Sequence, residues 1–105
     1  MSMNPAQRLA FWSLVADRIE GRDPGALERG RRRLQRWRTI NSPSASDRYW
    51  DEWESRINEG IQAVVRQLRD PSERGDVLRS TAPFLDVVSQ AERLQFLESA
   101  RSAKQ

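Results

Sequence analysis

The chain has 105 residues, is 37% hydrophobic and 31% charged, and carries a formal net charge of +3. That length suits one domain with a modest core, part of which a partner or a second copy would cover. The absence of cysteine and histidine excludes disulfides, thiolate metal centres, Ser-His-Asp and Cys-His triads and the usual general base.

No apolar run approaches the roughly 18 residues of a membrane span. The opening stretch MSMNPAQRLAFWSLVADR has no basic region ahead of its apolar part, so it does not read as a secretory signal. A chain without cysteine fits a reducing compartment, and a cytoplasmic location is expected. Arginine outnumbers lysine 17 to 1. We read this bias first as compositional and second as selection for carboxylate or phosphate forks.

Asn4-Pro5 predicts the start of a first helix, with asparagine as the cap and proline at the first helical position. Leu9, Trp12, Ala16 and Ile19 share one face, with Val15 beside it, and Gly21 is expected to stop the helix. Asp23-Pro24 predicts a second helix by the same device, striped by Leu27, Gly30, Leu34 and Trp37. Glycine in mid-helix costs about 1 kcal/mol against alanine, so Gly30 on that stripe points to a close helix approach. Asn41 to Ser46 is a loop, and Ser46 is expected to cap the next helix.

The strongest pattern in the chain lies in Tyr49 to Leu68. Counted from Trp50 at about 100° per residue, Trp53, Ile57, Ile61, Val64 and Leu68 all fall within roughly 60° of one direction. Asn58-Glu59-Gly60 offers a break, but the stripe keeps phase across Gly60, which predicts one continuous helix. Asp70-Pro71-Ser72-Glu73 opens a short helix with Val77 and Leu78, and Pro83 bends the chain. Phe84, Leu85, Val87 and Val88 form an apolar cluster the length of a single helical turn. Ser89-Gln90-Ala91-Glu92 has capping-box spacing and opens a last helix. Leu94, Leu97 and Ala100 lie along one side of it, with Phe96 on the flank, and the tail from Ser102 is expected to fray. No segment alternates with period two, so no sheet is predicted. The expected fold is all-α, a small single-domain bundle of about five helices. A three-helix core spans residues 1–69, and a helical pair over 70–101 closes it.

Three constellations bear on function. The first is basic: Arg29, Arg32, Arg33 and Arg36 point roughly opposite Leu27 on a helical wheel, a face able to follow a phosphate backbone. Arg31 and Arg38 flank the apolar seam instead and are placed to pair within the protein. The second is acidic. Residues 22–38 carry seven arginines against Asp23 and Glu28, a net +5, whereas residues 39–60 carry five acids against Arg48 and Arg56, a net −3. A short loop favours antiparallel neighbours, so these two helices are expected to pair by charge. Asp51, Glu52 and Glu54 therefore read as ion-pair partners rather than as a catalytic or metal-binding carboxylate cluster. The third is aromatic and apolar: Trp12, Trp37, Trp50 and Trp53, with the segment from Thr81 to Val88. The tryptophans read first as core, and the Thr81–Val88 segment is either a second docking surface or a lid closing the open end of the bundle; Trp37, Trp50, Phe84 and Leu85 are the candidates for contact with a partner. A helix-turn-helix formed by Gly60–Leu68 and Pro71–Thr81 is a loose match, because Asp70, Glu73 and Asp76 would face phosphates.

The second half, YWDEWE followed by VVRQLRDPSERGDVLRSTAPF and VVSQAERLQFL, resembles short helical bacterial proteins encoded beside toxin or regulator genes. The shared features are a Trp-containing helix, a bend with Leu78, Arg79, Pro83 and Phe84, and a final helix introduced by Ser and Glu-Arg. The resemblance implies an accessory protein that binds another protein. The expected function is thus a non-catalytic interaction protein of the antitoxin or small-regulator kind, without cofactor or metal. Its partner is a second protein or another copy of itself. The alternative is a nucleic-acid-binding regulator using the arginine face.

Overall fold

The computed structural model describes residues 4–102, and the described chain is all-α. Its helices are α1 (Pro5–Gly21), α2 (Ala26–Asn41), α3 (Asp47–Glu59), α4 (Ile61–Leu68), α5 (Glu73–Arg79) and α6 (Gln90–Ser102), with a 3₁₀ turn at Leu85–Val87 before the last. No described helix is long and apolar enough to cross a membrane. Of the tail expected to fray from Ser102, Ser102 itself ends α6 and residues 103–105 lie outside the described residues.

Helix α1 is the axis. Asn4 caps it through a full capping box, its side chain accepting from the Gln7 amide while the Gln7 side chain accepts from the Asn4 amide. It packs along α4 and also meets α5 and the 3₁₀ turn. Being covered on more than one side, it buries a wider stripe than one face: Phe11 joins Trp12, Val15, Ala16 and Ile19 in the core. Phe11 meets Trp12 and Phe96 edge-on, with ring centroids 5.4 and 5.5 Å apart. Phe96 therefore faces inward and Leu94 outward, the reverse of the expected order on α6. Gly21 belongs to α1, and Arg22 follows as its C-cap.

One capping expectation shifts by a few residues, and another holds in position without its side-chain bond. Asp23-Pro24 does not start α2, which begins at Ala26, and the Asp23 carboxylate binds Arg29 instead. Ser46 holds the N-cap position of α3 without a side-chain bond. Asp47 reaches back to the preceding loop, accepting from the Ser42 hydroxyl and the Ser44 amide.

The continuous third helix is not formed. Gly60 sits at φ 116° and ψ −177°, ending α3 and starting α4 in one residue. Its amide donates to the Arg56 and Ile57 carbonyls, and its carbonyl receives the Val64 amide. The stripe stays in phase because both arms of the elbow bury the same side: Trp50, Trp53 and Ile57 before the bend, Val64, Val65 and Leu68 after it. Periodicity reports which side faces the core and is blind to one backbone dihedral pair.

At the centre, Trp53 is fully buried and its indole N–H donates to the Leu78 carbonyl at 2.8 Å. Its ring meets Phe84 edge-on at 5.6 Å. Phe84 in turn lies on Gly30, where an added Cβ would sit 2.6 Å from the ring. Gly30 thus serves a close approach, as expected, but the visitor is an aromatic ring from the C-terminal segment and not another helix. Arg79, only 2% exposed, donates to the Leu68 and Asp70 carbonyls at the C-terminus of α4, a favourable end of the helix for a cation. Nearby, Asp76 accepts both the Nε and Nη2 of Arg8 at 2.8 Å.

The backbone of Gly60 lies in a region that side chains rarely adopt, and space around it is open. Gly60→Ala should therefore lower stability by about 1–3 kcal/mol through backbone strain alone. Gly21→Ala, at a helical position with equal room, should be neutral or mildly stabilising. Thermal melts of the two variants check both signs. A second test concerns α6. Ser89 and Glu92 form the expected capping box, and Arg18 of α1 donates to Glu92 at 2.6 Å. The Arg18 hydrogen bond, with help from Ser89, lowers the Glu92 carboxyl from 4.5 to about 2. A carboxyl depressed in the folded state stabilises fully above its unfolded value and loses that contribution as pH falls from 4.5 toward 2. Across that window the melting temperature of the parent should fall more than that of Glu92→Gln.

Candidate partner-docking groove

The structure separates the residues picked out from the sequence. Phe84 is fully buried and Trp50 is 7% exposed, so neither offers a surface. Both belong to the core because their neighbours close over them: Trp53 and Gly30 around Phe84, and Trp37 against Trp50 at a ring distance of 6.1 Å. Trp37 remains half-buried and Leu85 is 44% exposed. These two come together. With Arg33, Ala82, Asp86 and Arg93 they line a surface groove of about 380 Å³ between α2, the 3₁₀ turn and the start of α6.

The four arginines of the supposed outward face are also divided. Arg29 donates to Asp86 through Nε at 2.7 Å and also holds Asp23. Arg33 donates to Asp86 at 2.8 Å and to the Pro83 carbonyl at 2.7 Å. Asp86 thereby clamps the 3₁₀ turn to α2. Burial pushes its carboxyl up, but hydrogen bonds from Arg33 and Arg29 outweigh this and hold it below the ordinary value. The Arg29 guanidinium is raised by its hydrogen bonds to Asp23 and then Asp86. Arg32 and Arg36 stay exposed; Arg32 reaches only Glu28 at 4.0 Å, and Arg36 has no ion pair among the described residues. Arg31 and Arg38 pair within the α2–α3 hairpin, as expected. Arg31 donates to Asn58, and Arg38 lies 2.6 Å from Asp51 and 3.5 Å from Glu54. The acids at 51 and 54 are thus ion-pair partners of α2.

Ala82 and Asp86 belong to the Thr81–Val88 segment already read as a candidate docking surface, and the groove residue missed by sequence reasoning is Arg93. Asp86 had a signal: a carboxylate inside the apolar run Phe84–Val88 requires a partner. Arg93 had none, since its role depends on where α6 starts. Its Nε is enclosed without a hydrogen-bond partner, and its side chain has no ion pair among the described residues. A larger concavity of about 490 Å³ between α1 and α5 includes Pro5, Leu9, Pro71 and Val77. Of its charged lining, Asp76 serves Arg8 and Arg79 is turned to backbone carbonyls, while Glu73 has no ion pair among the described residues. The smaller groove combines an exposed apolar contact with a cation that has no counter-charge among the described residues.

No protein-family model matches this chain, and neither a curated protein nor a solved structure shows significant similarity to it.

The Asp86 clamp is directly testable. Asp86→Asn removes one charge that two arginines share and should cost about 1 kcal/mol, the scale of a partly exposed ion-pair network. Hydrogen exchange at the Leu85–Val88 amides should accelerate, and unchanged protection there would show that the turn is held by packing alone.

Proposed function

We propose that this chain is a non-catalytic interaction protein of the antitoxin or small-regulator kind, and that it docks a partner protein in the Trp37–Leu85 groove. The observation that carries this reading is the convergence of Trp37 and Leu85 with Arg33 and Arg93 in one concavity. An aromatic ring and an exposed leucine supply contact area, and arginine beside them supplies orientation, the composition that anchors protein interfaces. The nucleic-acid alternative keeps only Arg32 and Arg36 as exposed cations on α2, since Asp86 engages Arg29 and Arg33.

A photo-crosslinking residue at Leu85, compared with one at exposed Ser55, tests the assignment in cells of the source. The expected result is a discrete protein adduct from position 85 that is absent from position 55. Leu85 is already exposed, so the substitution leaves the core intact. Adducts to nucleic acid would establish the alternative, and equal, diffuse labelling from both positions would overturn the docking surface.

A further inference from the structure

The charge pattern of the groove narrows what it binds. Its lining holds Arg33, Arg93 and one carboxylate, Asp86. Asp86 is engaged by Arg33 and Arg29, and Arg29 is further matched by Asp23. Arg93 is left without a carboxylate, and Arg36, one helical turn before Ile40 on α2, is also unmatched among the described residues. Beside Arg93 lie Trp37, Ala82 and the exposed Leu85.

We infer that the groove recognises an acidic, apolar-anchored peptide segment of a partner protein: a large apolar side chain seats between Trp37 and Leu85, and a neighbouring carboxylate binds Arg93. This deepens the docking reading and rests on it. A carboxylate matches the guanidinium fork, and a ribose-phosphate strand, which needs a row of cations, would find few unpaired ones along α2. A basic segment would meet Arg93 with like charge.

The test uses the full chain and a randomised twelve-residue peptide display library. Selected peptides should place Asp or Glu beside a large apolar residue. Synthesised and titrated by fluorescence anisotropy, such a peptide should bind Arg93→Gln about tenfold more weakly, the scale of a lost charge-assisted contact. Arg93→Lys should retain part of the affinity. Exchanging the peptide's acid for its amide should weaken binding to the parent and leave binding to Arg93→Gln unchanged, because the two changes remove the same contact. The Arg93 side chain makes no hydrogen bond or ion pair among the described residues, so these variants leave the fold's polar contacts in place. Selection of neutral or basic peptides overturns the inference. So does a peptide whose binding is abolished by Leu85→Asp but unaffected by Arg93→Gln; in that case the groove still docks a partner and only the acidic recognition fails. If no selected peptide depends on Leu85, the docking reading falls with it.

Discussion

The buried contact between Trp53 and the chain around Leu78 and Phe84 is the constraint on which this fold depends. The indole N–H is held by the Leu78 carbonyl, its ring supports Phe84, and Phe84 occupies the space that Gly30 leaves on α2. Three segments far apart in sequence are fixed by one tryptophan and one missing side chain. Burying an indole of this size contributes a large apolar area, and pairing its N–H avoids the cost of an orphaned donor. The 3₁₀ turn and the groove beside it take their position from this arrangement, since Leu85 directly follows the anchored Phe84.

Charge has a different part here from the one that the basic composition suggests. A chain of pI about 10.5 with an arginine-rich helix looks like a ligand for polyanions. In three dimensions the arginines mostly meet the protein's own acids: Arg8 with Asp76, Arg18 with Glu92, Arg29 and Arg33 with Asp86, Arg38 with Asp51. Most of these bridges join different helices. Each contributes about 0–1 kcal/mol where exposed, so their main effect is to select which helix faces which. Cations left over from that pairing, Arg93 above all, are the ones available to something outside.

Helix positions, the apolar faces of α2 and α3, and the pairing of Arg31 and Arg38 toward α3 were legible in the sequence, because they follow from periodicity and local charge. The elbow at Gly60 was not. The stripe of Trp50, Trp53, Ile57, Ile61, Val64 and Leu68 has the same phase whether the helix runs on or folds back with both arms facing inward. The inward turn of Phe96 and the exposure of Leu94 were hidden for a related reason. On a short helix that offers several apolar residues, the neighbour decides which of them is covered, and that neighbour is Phe11, far away in the chain. The docking candidates divided on the same ground. Phe84 and Leu85 are adjacent and both apolar, yet Gly30 and Trp53 receive the first and the second is left 44% exposed.

The placement of Phe84 against α2 also has a consequence for how binding and folding are linked. The groove is assembled from distant parts of the chain: its walls come from α2, the 3₁₀ turn and α6, joined by contacts such as Arg33 to Pro83 that span 50 residues of sequence. Closing so long a loop is entropically unfavourable until the core beneath it is complete. A ligand in the groove therefore draws on the free energy of the whole domain, and its occupancy raises the stability of every helix at once by mass action. In a small protein of modest core, that coupling would make the abundance of the proposed groove ligand a determinant of how long the folded chain persists.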